Sequence, residues 1–189
     1  GDWSTLDTFQ RPRGVLKLRA KVIHRLWTDN NQDPLIMPGN VPLYDGEVKN
    51  ELLNYLAAGW DPVVERDVDG DRSEPVAIEG QQARFGSVQA ARRVARTIFM
   101  GSAPAPTDQG ARGLPLDRVI LGAALPGTAP GTYRDALRKL GDELHHLYTA
   151  NDRYWYDTRT NLKREMESRK QRFDATHDVL PVVRDLVQK

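Results

Sequence analysis

The sequence predicts a mainly α-helical protein whose second half forms a winged-helix-like subdomain with a small β element. Hydrophobic residues recur at helical spacing through most of the 189-residue chain. Between residues 87 and 158, two helical segments are followed by a long helical segment and then by a short aromatic strand. This is the order of a winged helix, which is a helix-turn-helix variant with a small sheet.

Composition narrows the classes of protein. Hydrophobic residues make up 39% of the chain and charged residues 28%, as in globular proteins with a packed core. No stretch reaches the roughly 20 apolar residues that span a bilayer, so we expect no membrane partner. Cysteine is absent, which excludes disulfides and thiolate metal sites and favours a cytoplasmic location. The net charge of +1 makes no general case for binding nucleic acid.

The first helix is predicted over residues 12–28, because Pro12 suits a first helical turn. Its apolar stripe is formed by Val15, Leu18, Val22 and Leu26, broadened by Leu16, Ile23 and Trp27. Its opposite side is basic and carries Arg13, Lys17, Lys21 and His24. The helix has no acidic residue, so the basic side is either solvated and screened by salt or faces an anion supplied from elsewhere.

A second helix is predicted over residues 47–57, and residues 61–86 are predicted to form a charged connector loop. Asp67, Asp69 and Asp71 have the spacing of the first ligands of a calcium loop. However, Arg72 stands where such a loop needs glycine, and Ile78 where it needs glutamate. A solvated acidic turn is the preferred interpretation, and no metal site is expected.

The winged-helix-like subdomain is predicted over residues 87–160. Ser87 and Gly101 suit the two ends of its first helix. A short helix is expected over residues 116–124 and the longest over 132–148, where Thr132 and Asp135 have capping-box spacing. The alternating aromatic run 153–158 predicts a strand, whose rings either fill a core or stack on bases. Residues 161–189 are predicted to form a C-terminal helical extension.

Five cations of this subdomain are candidates for contact with DNA or a partner protein. They are Arg92, Arg93, Arg134, Arg138 and Lys139. The first two, with Arg96, are expected to project from the first helix, opposite its apolar face. The other three lie on the long helix, which would be the recognition helix, where they could contact DNA phosphates. Acidic residues on the same helix dilute its charge, so a solvated face remains the alternative.

Four stretches of the chain resemble successive blocks of one protein family. They are TLDTFQRPRGVLKLRAKVIHRLWTDNNQDPLIMPGNVPLYDGEV, SVQAARRVARTIFMGSAP, RGLPLDRVILGAALPG and NDRYWYDTRTNLKREMESRK. The family comprises large bacterial P-loop ATPases that carry domain of unknown function number four hundred and ninety-nine. Its members are similar to the ATPase of BREX-type systems and tend to be encoded beside DNA methyltransferases in phage-defence islands.

The resemblance implies that the chain is an internal piece of such an ATPase, downstream of the P-loop core that would be its first partner. ATP and Mg²⁺ would be bound in the parent protein. No cofactor is expected in this piece, which has no phosphate-loop motif. Residues 1–60 would be the helical lid of an AAA-type ATPase. Arg13, with Arg11 as second choice, would be the sensor-two arginine that reaches the γ-phosphate, although Gly14 follows Arg13 where the usual pattern places glycine before it.

Three functions therefore remain open from the sequence. The first is a lid and winged-helix-like part of a phage-defence ATPase, which couples nucleotide state to movement or to engagement of DNA or a partner. In that case the parent protein is the enzyme and this piece alone is not. The second is a stand-alone DNA-binding module. The third is a scaffold that docks a neighbouring DNA methyltransferase.

Overall fold

A computed structural model describes residues 11–104 and 112–162 of the chain, together with a few isolated positions, namely 3, 6, 165, 166, 170, 180 and 184. The predicted C-terminal extension lies almost entirely outside the described residues, and so do residues 105–111.

The fold is mainly helical, as the sequence predicts. The helices are α1 (Arg11–Thr28), α2 (Gly46–Leu53), α3 (Trp60–Val63), α4 (Glu74–Gln81), α5 (Ala83–Gly86), α6 (Ala90–Ser102), α7 (Leu116–Ala123) and α8 (Pro130–Glu143). A 3-10 turn covers Pro38–Asn40, and a π-helical segment, Val64–Val68, continues α3. Asp45 caps α2, because its carboxylate accepts hydrogen bonds from the backbone N–H groups of Glu47 and Val48 at 3.0 Å each.

Three short antiparallel strands lie in the described part of the chain. They are β1 (Leu114–Pro115), β2 (Leu147–Ala150) and β3 (Arg153–Tyr156), and β3 lies in the middle of the sheet. Asn151 and Asp152 join β2 to β3 with φ angles of 49° and 55°, which suit the tight two-residue turn of a twisted hairpin. The sequence indicated only β3. Strand β1 has only two residues, and the first residues of β2 fit the helical spacing predicted over residues 132–148.

The element order from α6 onward is helix, strand, helix, helix, strand, strand, which is the order of a winged helix. If the predicted winged-helix-like subdomain is right, α8 is its candidate recognition helix and the β2–β3 hairpin its candidate wing.

Helix α6 lies at the centre of the molecule. It packs against α4, α5, α7, α8 and β3, and also against the 3-10 turn and the π-helical segment. Six of its apolar residues are fully buried, namely Ala90, Ala91, Val94, Ala95, Ile98 and Phe99. Because neighbours surround α6, it has no broad face toward solvent, and its polar side chains must find partners inside the protein.

Several sequence-based boundaries are wrong. The connector predicted over residues 61–86 is largely helical, because Trp60, Val63, Val64, Val68 and Ile78 are buried at helical spacing between the charged residues. Ser87 does not cap α6. That helix starts at residue 90, after Gln89 with a φ of 50°. Thr132 lies inside α8, which begins at Pro130, so the predicted capping box does not form. Helix α8 also ends at residue 143, and the buried Leu147 belongs to β2.

Candidate functional site

Part of the basic side of α1 is neutralised within the chain. Lys17 and Lys21 both place Nζ beside Oε2 of Glu51 on α2, at 2.7 and 2.9 Å. The Glu51 side chain is only 2% exposed. Burial opposes its charge, but hydrogen bonds from Lys17, Lys21 and Tyr55 outweigh burial and lower the pKa of Glu51 to about 2. The sequence did not show whether these two lysines face an anion. In the structure they do, and the anion is a carboxylate of the same protein.

Arg25, near the end of α1, is neutralised in the same way. Its Nε and Nη2 atoms lie 3.0 Å from the two carboxylate oxygens of Asp29, and its Nη1 atom lies 3.4 Å from Asp45. The two parallel contacts to Asp29 form a fork, which fixes both direction and distance.

Arg13 is placed differently. It is exposed in the first turns of α1, and the described part of the chain offers it no ion pair or hydrogen bond. The guanidinium is therefore open to an outside anion, in contrast to Lys17, Lys21 and Arg25 of the same helix. The side chain of Arg11, the second candidate, lies outside the described residues.

Four arginines surround a cavity of about 520 Å³ between α1, α6 and the loops around residues 29–44 and 69–71. We call this group the arginine cluster. It consists of Arg25, Arg92, Arg93 and Arg96. Carboxylates, a tyrosine and an asparagine also line the cavity, among them Asp29, Asp33, Tyr44, Asn40 and Asp69.

Arg93 uses all of its guanidinium nitrogens inside the protein. Its Nε atom donates to the carbonyl oxygen of Ala123 at 2.7 Å, Nη1 to Asp33 at 2.9 Å and Nη2 to Asn40 Oδ1 at 3.1 Å. Asn40 in turn donates a hydrogen bond to Asp33. Arg93 therefore ties α6 to the end of α7 and to the loop that follows α1.

Arg96 and Asp69 form a buried ion pair, in which Nη2 donates to Oδ1 at 2.6 Å. A second Arg96 donor, Nη1, bonds the carbonyl oxygen of Gly39 at 3.3 Å. The Nε atom is buried and has no hydrogen-bond partner among the residues that the structure describes. Burial raises the pKa of Asp69 despite the opposing charge of Arg96, so this pair carries a substantial desolvation cost.

Tyr44 bridges α1 and α6. Its ring lies between the guanidinium groups of Arg25 and Arg96, each 5.4 Å from the ring centroid, within the range of a cation–π contact. Its hydroxyl donates to Asp29, and its backbone N–H donates to Asp69 at 2.8 Å. The last turn of α1 and the middle of α6 therefore share one continuous polar network.

The prediction that Arg92 and Arg93, with Arg96, project outward from their helix is wrong. Arg93 and Arg96 are buried in the contacts above. Arg92 Nε donates to Glu79 of α4 at 2.7 Å, and the Arg92 backbone N–H donates to the same carboxylate at 2.8 Å. The physical reason is the central position of α6, where acidic side chains from the surrounding elements face these arginines inside the protein. Arg93 and Arg96 are thus engaged inside the protein, and Arg92, whose side chain is 25% exposed, is paired with Glu79.

The cations of α8 do lie at the surface, but acids accompany them. Arg134 is exposed and has no ion pair among the described residues. Arg138 pairs with Asp135 at 2.9 Å, and Lys139 pairs with Glu143 at 2.6 Å. Arg84 of α5 reaches Asp135 as well. The outward side of α8 is therefore close to electrically neutral.

Asp67, on the π-helical segment, anchors the wing to the rest of the protein. Its Oδ2 atom accepts hydrogen bonds from the backbone N–H groups of His145 and His146, at 2.9 and 2.6 Å. Its backbone carbonyl accepts one from the buried hydroxyl of Tyr156 at 2.8 Å. Burial raises the pKa of Asp67. Tyr156 thus fills the core, which answers the question about the role of this ring in the aromatic strand.

No protein family model, curated protein or solved structure matches this chain. The resemblance to P-loop ATPases accordingly stays a prediction. Within the described residues, none of the helices is both long and apolar enough to cross a membrane. In the same part of the chain, no three His, Asp or Glu side chains come together as a metal site would require.

Sequence reasoning missed the acidic half of the site. Asp33, Glu51, Asp69 and Glu79 are each bonded to a basic side chain. They come from loops and helices far apart in the sequence, so spacing gives no signal of their convergence. A charged residue flanked by apolar ones was the available hint at Asp69 and Glu79.

Proposed function

We propose that this chain is the lid and winged-helix part of a larger ATP-hydrolysing protein of a phage-defence or DNA-modification system. In this function Arg13 contacts the γ-phosphate of ATP held by the P-loop core of the same polypeptide. The arginine cluster passes the resulting movement of α1 to the winged helix. The single observation that carries the proposal is the contrast along α1, where Arg13 is open to solvent while Lys17, Lys21 and Arg25 are neutralised internally.

An open arginine in the first turns of a helix is suited to phosphate. Its guanidinium presents a planar fork of donors to phosphate oxygens, and the free backbone N–H groups of the helix start add to the positive potential. Hydrolysis removes the γ-phosphate and with it this contact. The lid would then be free to rotate, as in other nucleotide switches.

The route from α1 to the winged helix is short. Arg25 and Tyr44 lie at the α1 end of the polar network, and Arg93 and Arg96 lie on α6, the central helix of the winged helix. Charge-assisted hydrogen bonds in a buried setting are strong and directional. A shift of α1 therefore moves α6 as well, unless the network breaks.

The winged helix would engage a partner protein. On α8, Asp135 pairs with Arg138 and Glu143 pairs with Lys139. This near-neutral face is poorly suited to binding DNA phosphates. A neighbouring DNA methyltransferase is the partner that the family resemblance suggests. Co-purification of the two proteins would support this assignment.

The proposal as a whole is tested in the full-length gene product. We expect a Gly-x-x-x-x-Gly-Lys-Ser/Thr motif upstream of residue 1 and measurable ATP hydrolysis by the purified protein. A conservative change of the motif lysine should abolish hydrolysis. An upstream region without such a motif, or a full-length protein that does not hydrolyse ATP, would overturn the proposal.

A further inference from the structure

Helix α1 has an apolar stripe that the rest of the described chain leaves uncovered. Trp27 is 84% exposed, Leu16 is 66% exposed and Ile23 is 53% exposed. Ala20, also exposed, lies between them. The opposite side of the helix packs against α2 and buries Val22 and Leu26. The sequence placed Leu16, Ile23 and Trp27 beside the buried stripe, but they lie on a separate face.

The spacing of the uncovered residues is that of a helix–helix seam. Leu16, Ala20, Ile23 and Trp27 follow one another at intervals of four, three and four residues. This is the spacing of the a and d positions of a heptad, which lie along one narrow line on a helix. We call these four residues the α1 seam. A narrow seam is typical of packing against one further helix, whereas a helix lying on a membrane presents a broader apolar face.

Two exposed residues that border the seam are basic. In this heptad register Arg19 takes a g position and His24 an e position, whereas the other two border residues are Lys17, which is paired with Glu51, and the buried Leu26. Arg19 has no ion pair within the described part of the chain. The e and g positions select partners by charge. No residue of α1 is acidic, so a second α1 would bring like charges together, whereas a helix bordered by Asp or Glu would neutralise them.

We propose that the α1 seam docks one amphipathic helix of another protein segment, with Asp or Glu on the border of that helix's apolar stripe that faces Arg19. Leu16, Ile23 and Trp27 supply the apolar contacts, and Arg19 selects for the acidic border. This docking goes beyond the nucleotide contact proposed for Arg13 and does not depend on it, since the seam and Arg19 lie outside that contact.

Two synthetic helices test the charge selection. Both are about three heptads long with the same leucine seam. One carries Glu and the other Lys at the e and g positions. Binding of the dye-labelled peptides to the protein is followed by fluorescence anisotropy at about 0.1 M salt, where the Debye length is about 10 Å. We expect the Glu peptide to bind at least about tenfold more tightly than the Lys peptide, which is about 1.4 kcal/mol.

Variants of the protein then locate the contact. Ile23→Ser and Trp27→Ser should each weaken binding of the Glu peptide at least about fivefold, since both remove an exposed apolar contact. Arg19→Glu should remove the preference for the Glu peptide. All three positions are exposed, so the fold is expected to tolerate the changes. Leu121→Ser and Arg118→Glu, on the exposed side of α7, are matched controls that should change nothing.

Four results would overturn the proposal. They are failure of the Glu peptide to bind, equal binding of the two peptides, binding that survives Ile23→Ser, and binding that the α7 controls weaken equally. Two further measurements identify a different occupant. In the first, the protein sediments with phosphatidylserine vesicles, Trp27→Ser does not, and neither peptide binds. This result would assign the seam to a membrane. A concentration-dependent dimer lost in Ile23→Ser would assign it to a second copy of the chain.

Discussion

Arg96 and Asp69 form an ion pair that is almost completely shielded from water, with the two side chains 3% and 0% exposed. The pair connects the middle of α6 to the turn after the π-helical segment. Asp69 also accepts the backbone N–H of Tyr44. One carboxylate thus fixes the relative positions of the central helix and the loop that reaches α1.

Removal of one partner should leave the other charged and buried. We expect Asp69→Ala to lower the free energy of unfolding by about 3 to 5 kcal/mol, as is common when a buried ion pair is broken. Urea unfolding at neutral pH measures the change. The double variant Arg96→Met, Asp69→Leu should recover part of it, because the uncompensated charge is gone. A loss below about 1 kcal/mol in Asp69→Ala would contradict the account of this pair.

Glu51 gives a prediction with a defined pH window. Its pKa is about 2 in the folded protein and 4.5 in the absence of partners. A lowered folded pKa stabilises the protein above pH 4.5, and this contribution is lost as the pH falls through about 2. At pH 7 we expect Glu51→Gln to lower the free energy of unfolding by about 1 to 3 kcal/mol, after allowance for solvent screening.

The difference in free energy of unfolding between the wild type and Glu51→Gln should decrease as the pH falls from 5 toward 2. The wild-type carboxylate becomes protonated over this range and loses its charge, so it then resembles the neutral amide of the variant. Chemical unfolding at a series of pH values measures it. Glu47→Gln on the same helix is the matched control, since Glu47 is exposed. A deficit that stays constant over this range would contradict the assigned role of Glu51.

The contribution of Asp67 to stability should depend on pH in the opposite direction to that of Glu51. Burial raises its folded pKa, so its contribution to stability is fully present below the unfolded pKa of 3.8 and declines as the pH rises through the higher folded value. Asp67→Asn keeps an acceptor for the N–H groups of His145 and His146. We therefore expect the free energy of unfolding of this variant to rise relative to that of the wild type as the pH rises from about 4 to 7.

Asp67→Ala leaves the same N–H groups without an acceptor. We expect it to lower the free energy of unfolding by about 1 to 3 kcal/mol at both pH values. Urea unfolding at the two pH values distinguishes the variants. Equal pH dependence of Asp67→Asn and the wild type would rule out the raised pKa.

The face of α8 gives a prediction about DNA. Because acids pair with Arg138 and Lys139, we expect the protein not to shift a labelled duplex at about 50 mM salt. The measurement is an electrophoretic mobility assay, repeated at several salt concentrations. A shift that weakens steeply with salt and is reduced in Arg134→Ala would instead support the stand-alone DNA-binding module.

The parts of this protein that sequence could predict are those governed by local pattern. Helix α1, helix α7 and strand β3 follow from apolar spacing and from the aromatic run. The arginines of α6 could not be placed, because their burial depends on Asp33, Asp69 and Glu79, which lie up to 60 residues away. Polar spacing on a helix looks the same whether the opposite face meets water or buried carboxylates, so Arg93 was mistaken for a surface residue.

The central claim, that Arg13 reaches the γ-phosphate of ATP, is tested most directly by ATP turnover of the full-length protein. Arg118→Ala on α7 is the matched control, as another exposed arginine without an ion pair within the described residues. We expect Arg13→Ala to reduce kcat at least about tenfold, since an arginine that stabilises transferring phosphate contributes at least that much. The control should be unaffected. Turnover of Arg13→Ala equal to that of the wild type would contradict the claim.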